Sequence, residues 1–153
     1  PVQVRLARQL GRAGDEEIVL SWLRELLQRH PHEAPMAWLM LAELEVKLGP
    51  PSRARIALRA LRRSNRRDFA RRSHLLEAKL EQRHGHPHAA LDCLRTFGEG
   101  GAETAEALSL EAEILASLGR PADALATAGR ALHIDPGDVR ARALVDRLNS
   151  REE

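Results

Sequence analysis

The sequence holds one cysteine, Cys93, so no disulfide can form within the chain and the redox compartment is left open. It has no tyrosine, and two tryptophans and two phenylalanines bring aromatics to only 3%. That is a poor supply of stacking platforms for single-stranded nucleic acid. The longest apolar stretch, MAWLMLA at 36–42, falls far short of the ~20 residues that a membrane-spanning helix needs. No segment alternates with period two, which argues against strands. The motifs of several common enzymes are missing too: Gly-x-Ser-x-Gly, His-Glu-x-x-His, the phosphate-cradling Gly-x-x-x-x-Gly-Lys and the dinucleotide fingerprint. GEGG at 98–101 follows a helical pattern rather than a strand, and Cys93 lies within an amphipathic stretch with His88 on a different face. No enzyme activity and no cofactor are expected.

What is present describes a globular chain. It has 153 residues, 43% hydrophobic and 30% charged, the size of one ordinary domain. Of its 24 basic residues only Lys47 and Lys79 are lysines. The net charge is +2, yet Arg53 to Arg72 contains nine arginines against one acid, Asp68, so that segment carries +8 and the remainder −6. The helical pattern is already running at Val2, Leu6 and Leu10, and the chain opens on Pro1 with no leader, so a piece of a larger protein is expected.

The stretch QRHGHPHAAL, 82–91, sets His84, His86 and His88 at alternate positions around a glycine and a proline. Convergent imidazoles can hold zinc or copper. No second cluster of ligands at suitable spacing accompanies them, however. KLGPPSRARIAL (47–58) and SLGRPADALATA (117–128) share its grammar, with Gly49, Gly85 and Gly119 spaced by 36 and 34 residues and Pro51, Pro87 and Pro121 each two positions on. A glycine past a helix end takes the left-handed conformation, and a proline in the next first turn lacks an N–H that would have had no partner. A fourth copy, RAGDEEIVLSWL at 12–23, puts Gly14 35 residues before Gly49. In this register His86 and His88 occupy the slots of Pro50 and Ser52, or Arg120 and Ala122, which are solvent positions. No metal is expected there; His84, His86 and His88 stand as candidates only.

Between these turns, apolar residues recur with helical spacing, for example Ala54, Ala57, Leu58 and Leu61, or Ala124, Leu125, Ala128 and Ala131, predicting eight or nine helices and no strand. A period of 34–36 marks a repeat architecture. The chain resembles the tetratricopeptide repeat family on these residues: Trp38, Leu41, Ala42, Ala54, Leu58 and Leu61 in 35–70; Ala78, Ala90, Leu94 and Phe97 in 71–104; Leu108, Ala112, Leu115, Ala124, Ala128, Ala131 and Pro136 in 105–138. Residues 1–34 supply Leu6, Ala7, Leu10, Val19, Leu23, Leu26 and Pro31 of a first, truncated unit. Residues 139–153, with Ala141, Leu144, Val145 and Leu148 on one face, read as a capping helix and tail.

Departures from the family pattern are Glu77 and Glu111 at the leucine slot and Glu45 and Glu81 at the aromatic slot, which predict looser packing or a rotated helix. SNRRDFA and GEGGAET replace two terminal prolines and predict longer joints.

The resemblance implies an all-α, right-handed superhelical array of antiparallel helix pairs whose first helices line a concave groove. Its groove positions fall on Val4, Arg8 and Arg12; Leu39, Glu43, Val46 and Lys47; Arg72, Leu75, Lys79 and Arg83; and Ser109, Glu113 and Ser117. Apolar anchors such as Leu39 and Leu75 would hold an acidic or amphipathic protein segment there. A second surface is the basic face of Arg55, Arg59, Arg62, Arg63, Arg66 and Arg67. It reads as a solvated face, as a dock for an acidic protein, or as a site for nucleic acid or another anionic polymer; the low aromatic content disfavours nucleic acid.

The function expected is a non-catalytic scaffold of a larger bacterial protein, by resemblance in envelope or exopolysaccharide-secretion assembly. The alternatives are anionic-polymer binding through Arg53–Arg72 and a spacer that self-associates through its N-terminal end. The compartment stays open, with the cytoplasm favoured over the periplasm.

Overall fold

The computed structural model describes residues 15–29, 35–63, 66–99 and 103–150. Among these residues there are eight α-helices and no strand: α1 (Glu16–Arg29), α2 (Pro35–Leu48), α3 (Pro51–Arg63), α4 (Arg67–Arg83), α5 (Pro87–Glu99), α6 (Ala105–Ser117), α7 (Pro121–Ile134) and α8 (Val139–Asn149). None is long and apolar enough to cross a membrane. Leu6, Ala7 and Leu10 lie outside the described residues.

The turn grammar operates through two different mechanisms. Pro51, Pro87 and Pro121 each open a helix, where a missing N–H costs nothing. Gly85 and Gly119 have φ of 76° and 72°, the left-handed conformation expected of them. Behind each, the helix end closes with paired bonds: His86 N–H to Glu81 O at 2.9 Å and Gly85 N–H to Gln82 O at 3.1 Å, then Arg120 N–H to Leu115 O at 3.0 Å and Gly119 N–H to Ala116 O at 3.2 Å. Gly49 departs from this expectation, since among the described residues only Gly85 and Gly119 have positive φ. Its constraint is space: a Cβ added there would stand 1.9 Å from Glu45 Oε2.

The chain divides into two compact units, 1–80 and 81–153. In the first, α1, α2 and α3 bury Leu23, Leu27, Leu41, Ala42, Leu58 and Leu61, joined by Phe69, Leu76 and Leu80 of α4. SNRRDFA does not lengthen the joint before α4 as expected. Arg66 O accepts from the N–H groups of Phe69 and Ala70, so the helix starts a turn early and Phe69 enters the core.

In the second unit, α6 and α7 meet through Ala112, Ala124, Ala128 and Ala131, all at 0% exposure, so small side chains bring the helices close together. α8 lays Ala141, Leu144 and Leu148 on the same cluster and caps it, as its pattern predicts.

Asp138 starts that cap. Its carboxylate accepts from the N–H of Arg140 at 2.9 Å and of Ala141 at 3.0 Å, and from the hydroxyl of buried Ser109 at 2.6 Å. Burial pushes its pKa up, but the bonds from Ser109, Ala141 and Arg140 and the charge of Arg140 outweigh this and hold it below the ordinary 3.8. A lowered carboxyl pKa adds stability that is present above the unfolded value and is lost as pH falls through the folded one. Urea titration should therefore show Asp138→Ala costing about 1–2 kcal/mol at pH 7, and Asp138→Asn should remove this part of the stability lost on acidification below about pH 4.

Candidate partner-binding surface

The groove positions expected from the resemblance are largely occupied by contacts within the chain. In the first unit, Arg72 Nη2 lies 3.4 Å from Glu43 and Lys47 Nζ lies 2.6 Å from Glu16. Leu39 is half-buried against the core, Val46 is buried, and Lys79 is half-buried with its own contacts. Leu75, expected as an anchor for a partner, is 1% exposed and so closed to a partner, because its side chain faces the helix packing.

In the second unit, Arg83 is exposed. Glu113 accepts from Gln82 at 3.3 Å and pairs with Arg140 at 3.2 Å, Ser109 bonds Asp138, and Ser117 donates to Ile114 O at 2.7 Å. Val4, Arg8 and Arg12 lie outside the described residues.

The acids at apolar repeat slots meet different surroundings. Glu45, 2% exposed, receives both Nε and Nη2 of Arg24 on Oε1, at 2.8 and 2.6 Å. Its Oε2 is buried and has no hydrogen-bond partner. Glu77 pairs with Arg62. Glu81, 9% exposed, meets His86 Nδ1 at 2.8 Å. Glu111 is pushed above the ordinary carboxylate range by burial, against the pull of Arg130, with Glu103 adding to the rise. His74 is shifted down by burial and by the Arg62 charge, with Glu77 opposing.

The three turn histidines separate in the structure. His86 binds Glu81, while His88 lines a cavity of about 760 Å³ in the second unit. No group of three or more His, Cys, Asp or Glu side chains comes together as a metal site among the described residues. In that cavity Arg95 pairs with Asp92 at 2.8 Å, Arg120 with Asp123 at 2.7 Å, and Arg130 with Glu103.

The outer face of α3 is different. Arg55, Arg59, Arg62 and Arg63 are exposed along it, and Arg66 and Arg67 continue the exposed row. Arg62 is held by Glu77 and by Ser73 Oγ at 3.3 Å, and the Arg66 guanidinium stacks 4.8 Å from the Phe69 ring centre. Among the described residues no carboxylate pairs with Arg53, Arg59, Arg63 or Arg67.

Beside this row Ile56 is 60% exposed. It forms one wall of a slot of about 280 Å³ whose floor is Leu27, Trp38, Leu41 and Ala57. Arg24, Gln28, Glu45 and Arg53 complete it. Helical periodicity does not predict this slot, because it puts Trp38 and Leu41 in the core. The signal that could have found it is Ile56, an apolar residue on the arginine side of α3.

Substitutions at the Glu45 cluster separate its contributions. Losing Arg24 leaves a buried carboxylate uncompensated, so Arg24→Ala is expected to cost about 2 kcal/mol, reduced from the fully buried case because Arg24 is 35% exposed. Glu45→Met should be neutral or stabilising, since an apolar side chain of similar size replaces a buried ion pair. Gly49→Ala should cost about 1–3 kcal/mol alone and distinctly less in combination with Glu45→Ala, as read from denaturant midpoints.

The tetratricopeptide repeat family model matches residues 75–139. No curated protein matches the chain. Among solved structures, a crystal structure of MamA aligns with TM-score 0.70 at 16% identity, covering 95% of this chain and 84% of that one. A second MamA crystal structure gives 0.72 at 16% identity, covering 99% and 81%. TTC0263, a thermophilic tetratricopeptide protein of Thermus thermophilus, gives 0.56 at 22% identity, covering 95% and 96%. The helix pairs, the capping helix and these likenesses agree: the described chain has the tetratricopeptide fold, and over residues 75–139 its sequence is similar to that repeat family.

Proposed function

We propose that this chain is a non-catalytic protein-binding scaffold module that takes an acidic partner on the outer face of α3. Its fold is that of interaction modules, and one observation directs the reading to this face. The cations of the expected groove and of the second-unit cavity include several already matched by carboxylates, whereas Arg53, Arg59 and Arg63 have no carboxylate among the described residues. Guanidinium groups form forked bonds with carboxylates and set encounter rate and orientation. Placement in a larger bacterial protein of an envelope or exopolysaccharide-secretion assembly extends this reading on the resemblance alone.

The same arginine row favours a second reading, binding of an anionic polymer. Its weakness is that, among the described residues, the arginine row itself holds no exposed aromatic ring: Phe69 is buried beneath Arg66, and Trp38 of the adjoining slot is half-buried. Self-association through the N-terminal end rests on residues outside those described.

Fluorescence anisotropy at low ionic strength with a labelled glutamate-rich dodecapeptide and a labelled thymidine 20-mer distinguishes the readings. Peptide binding that weakens at least about tenfold in Arg59→Glu/Arg63→Glu supports the proposal. Absence of peptide binding overturns it, and oligonucleotide binding alone, falling steeply with salt, transfers the face to the second reading.

A further inference from the structure

The arginine row and the apolar slot lie side by side on α3, and together they describe a more specific partner than charge alone. Ile56 belongs to both: it is exposed among the arginines, and its side chain walls the slot floored by Trp38 and Leu41. The volume, about 280 Å³, suits one bulky side chain and lies below the roughly 300–1,000 Å³ of typical small-molecule sites.

Two arginines border the slot, but they are not equivalent. Arg24 is already neutralised by the bidentate contact to Glu45 Oε1. Arg53 has no carboxylate partner among the described residues and also borders the adjoining cleft by Gly49 and Pro50. Beyond Ile56, Arg59 and Arg63 follow one and two turns along the helix from Arg55, adding positive charge on the side away from the slot floor.

We infer that this surface is a docking site for an acidic segment of a partner protein that inserts one branched or aromatic side chain into the slot and sets carboxylates on Arg53 and the arginine row. The inference rests on the scaffold reading above and narrows it to a partner class. Charge complementarity selects the acidic segment, and the apolar floor requires the anchor. A polyanion without apolar groups satisfies the first condition but not the second, and a nucleic acid would have to unstack a base to reach the slot. Binding energy at such sites concentrates in a few buried anchors, while rim charges mainly orient and accelerate association.

The test uses the whole chain and two pools of fluorescein-labelled dodecapeptides. Both pools are random mixtures of Asp, Glu, Ser and Gly; one carries Leu or Phe at a fixed central position, the other Ser. The anchored pool should bind at least about tenfold more tightly, the effect of burying one large apolar side chain. The exposed-site change Ile56→Glu should abolish that preference, Arg53→Glu should weaken the anchored pool more than about fivefold, and circular dichroism should show both variants folded.

If both pools bind equally and Arg59→Glu/Arg63→Glu removes the binding, the slot inference fails while the scaffold reading stands. If neither pool binds, both fail. A preference for Leu or Phe that survives Ile56→Glu also overturns the slot, because the anchor then seats elsewhere.

Discussion

A carboxylate removed from water inside a helix array must meet a cation or a set of donors, and that requirement organises much of this protein. The repeat places apolar side chains where its helices cross, yet this chain carries acids at four such positions. At Glu45 one oxygen is fully answered: the carboxylate is buried, Arg24 reaches across from α1 with two nitrogens to Oε1, and Gly49 leaves room for Oε2, which has no hydrogen-bond partner. The bridge ties α1 to α2 in a fixed register, since the forked contact tolerates little sliding. Arg62 links α3 to α4 through Glu77 and the hydroxyl of Ser73, and Glu81 with His86 joins the end of α4 to the turn that follows.

This demand divides the arginines into two populations. Some sit opposite an acid of their own chain and serve the fold; Arg24, Arg62 and Arg130 are of this kind. Others are displayed on α3, whose buried face needs only Ala54, Ala57, Leu58 and Leu61. An exposed arginine without an acid adds little to stability and adds positive potential that repels its neighbours. Arg53, Arg59 and Arg63, beside an exposed isoleucine and an apolar slot, are the observations on which the docking proposal rests.

The helices of the described residues, the prolines that open three of them, the alanine-lined crossings of the second unit and the closing helix α8 were legible in the sequence, because each depends on residues close in the chain. Periodicity assigns a residue to a face of its own helix, but it does not say what stands opposite. Glu45, Glu77 and Glu81 consequently read as packing faults, although partners 21, 15 and 5 residues away answer them. Gly49 illustrates the same limit. It shares the pattern of Gly85 and Gly119, yet those two are required by backbone conformation and Gly49 by a side chain four residues back. In SNRRDFA the burial of Phe69 extends a helix where the missing proline suggests a longer joint.

The candidate site was half legible for the same reason. A row of arginines on one face of α3 follows from spacing along a single helix. The slot beside it takes residues from α1, α2 and α3 at once, and no one-dimensional pattern brings Leu27, Trp38 and Ile56 together. The family resemblance points to the groove of first helices, where Leu75 proves to be core and Glu43 and Lys47 already have partners. What separates the two surfaces is the state of their charges before any partner arrives. Opening the groove to an acidic ligand means breaking ion pairs that the fold has already formed, whereas Arg53, Arg59 and Arg63 of α3 have no carboxylate among the described residues, so an incoming carboxylate would gain there without displacing an internal acid.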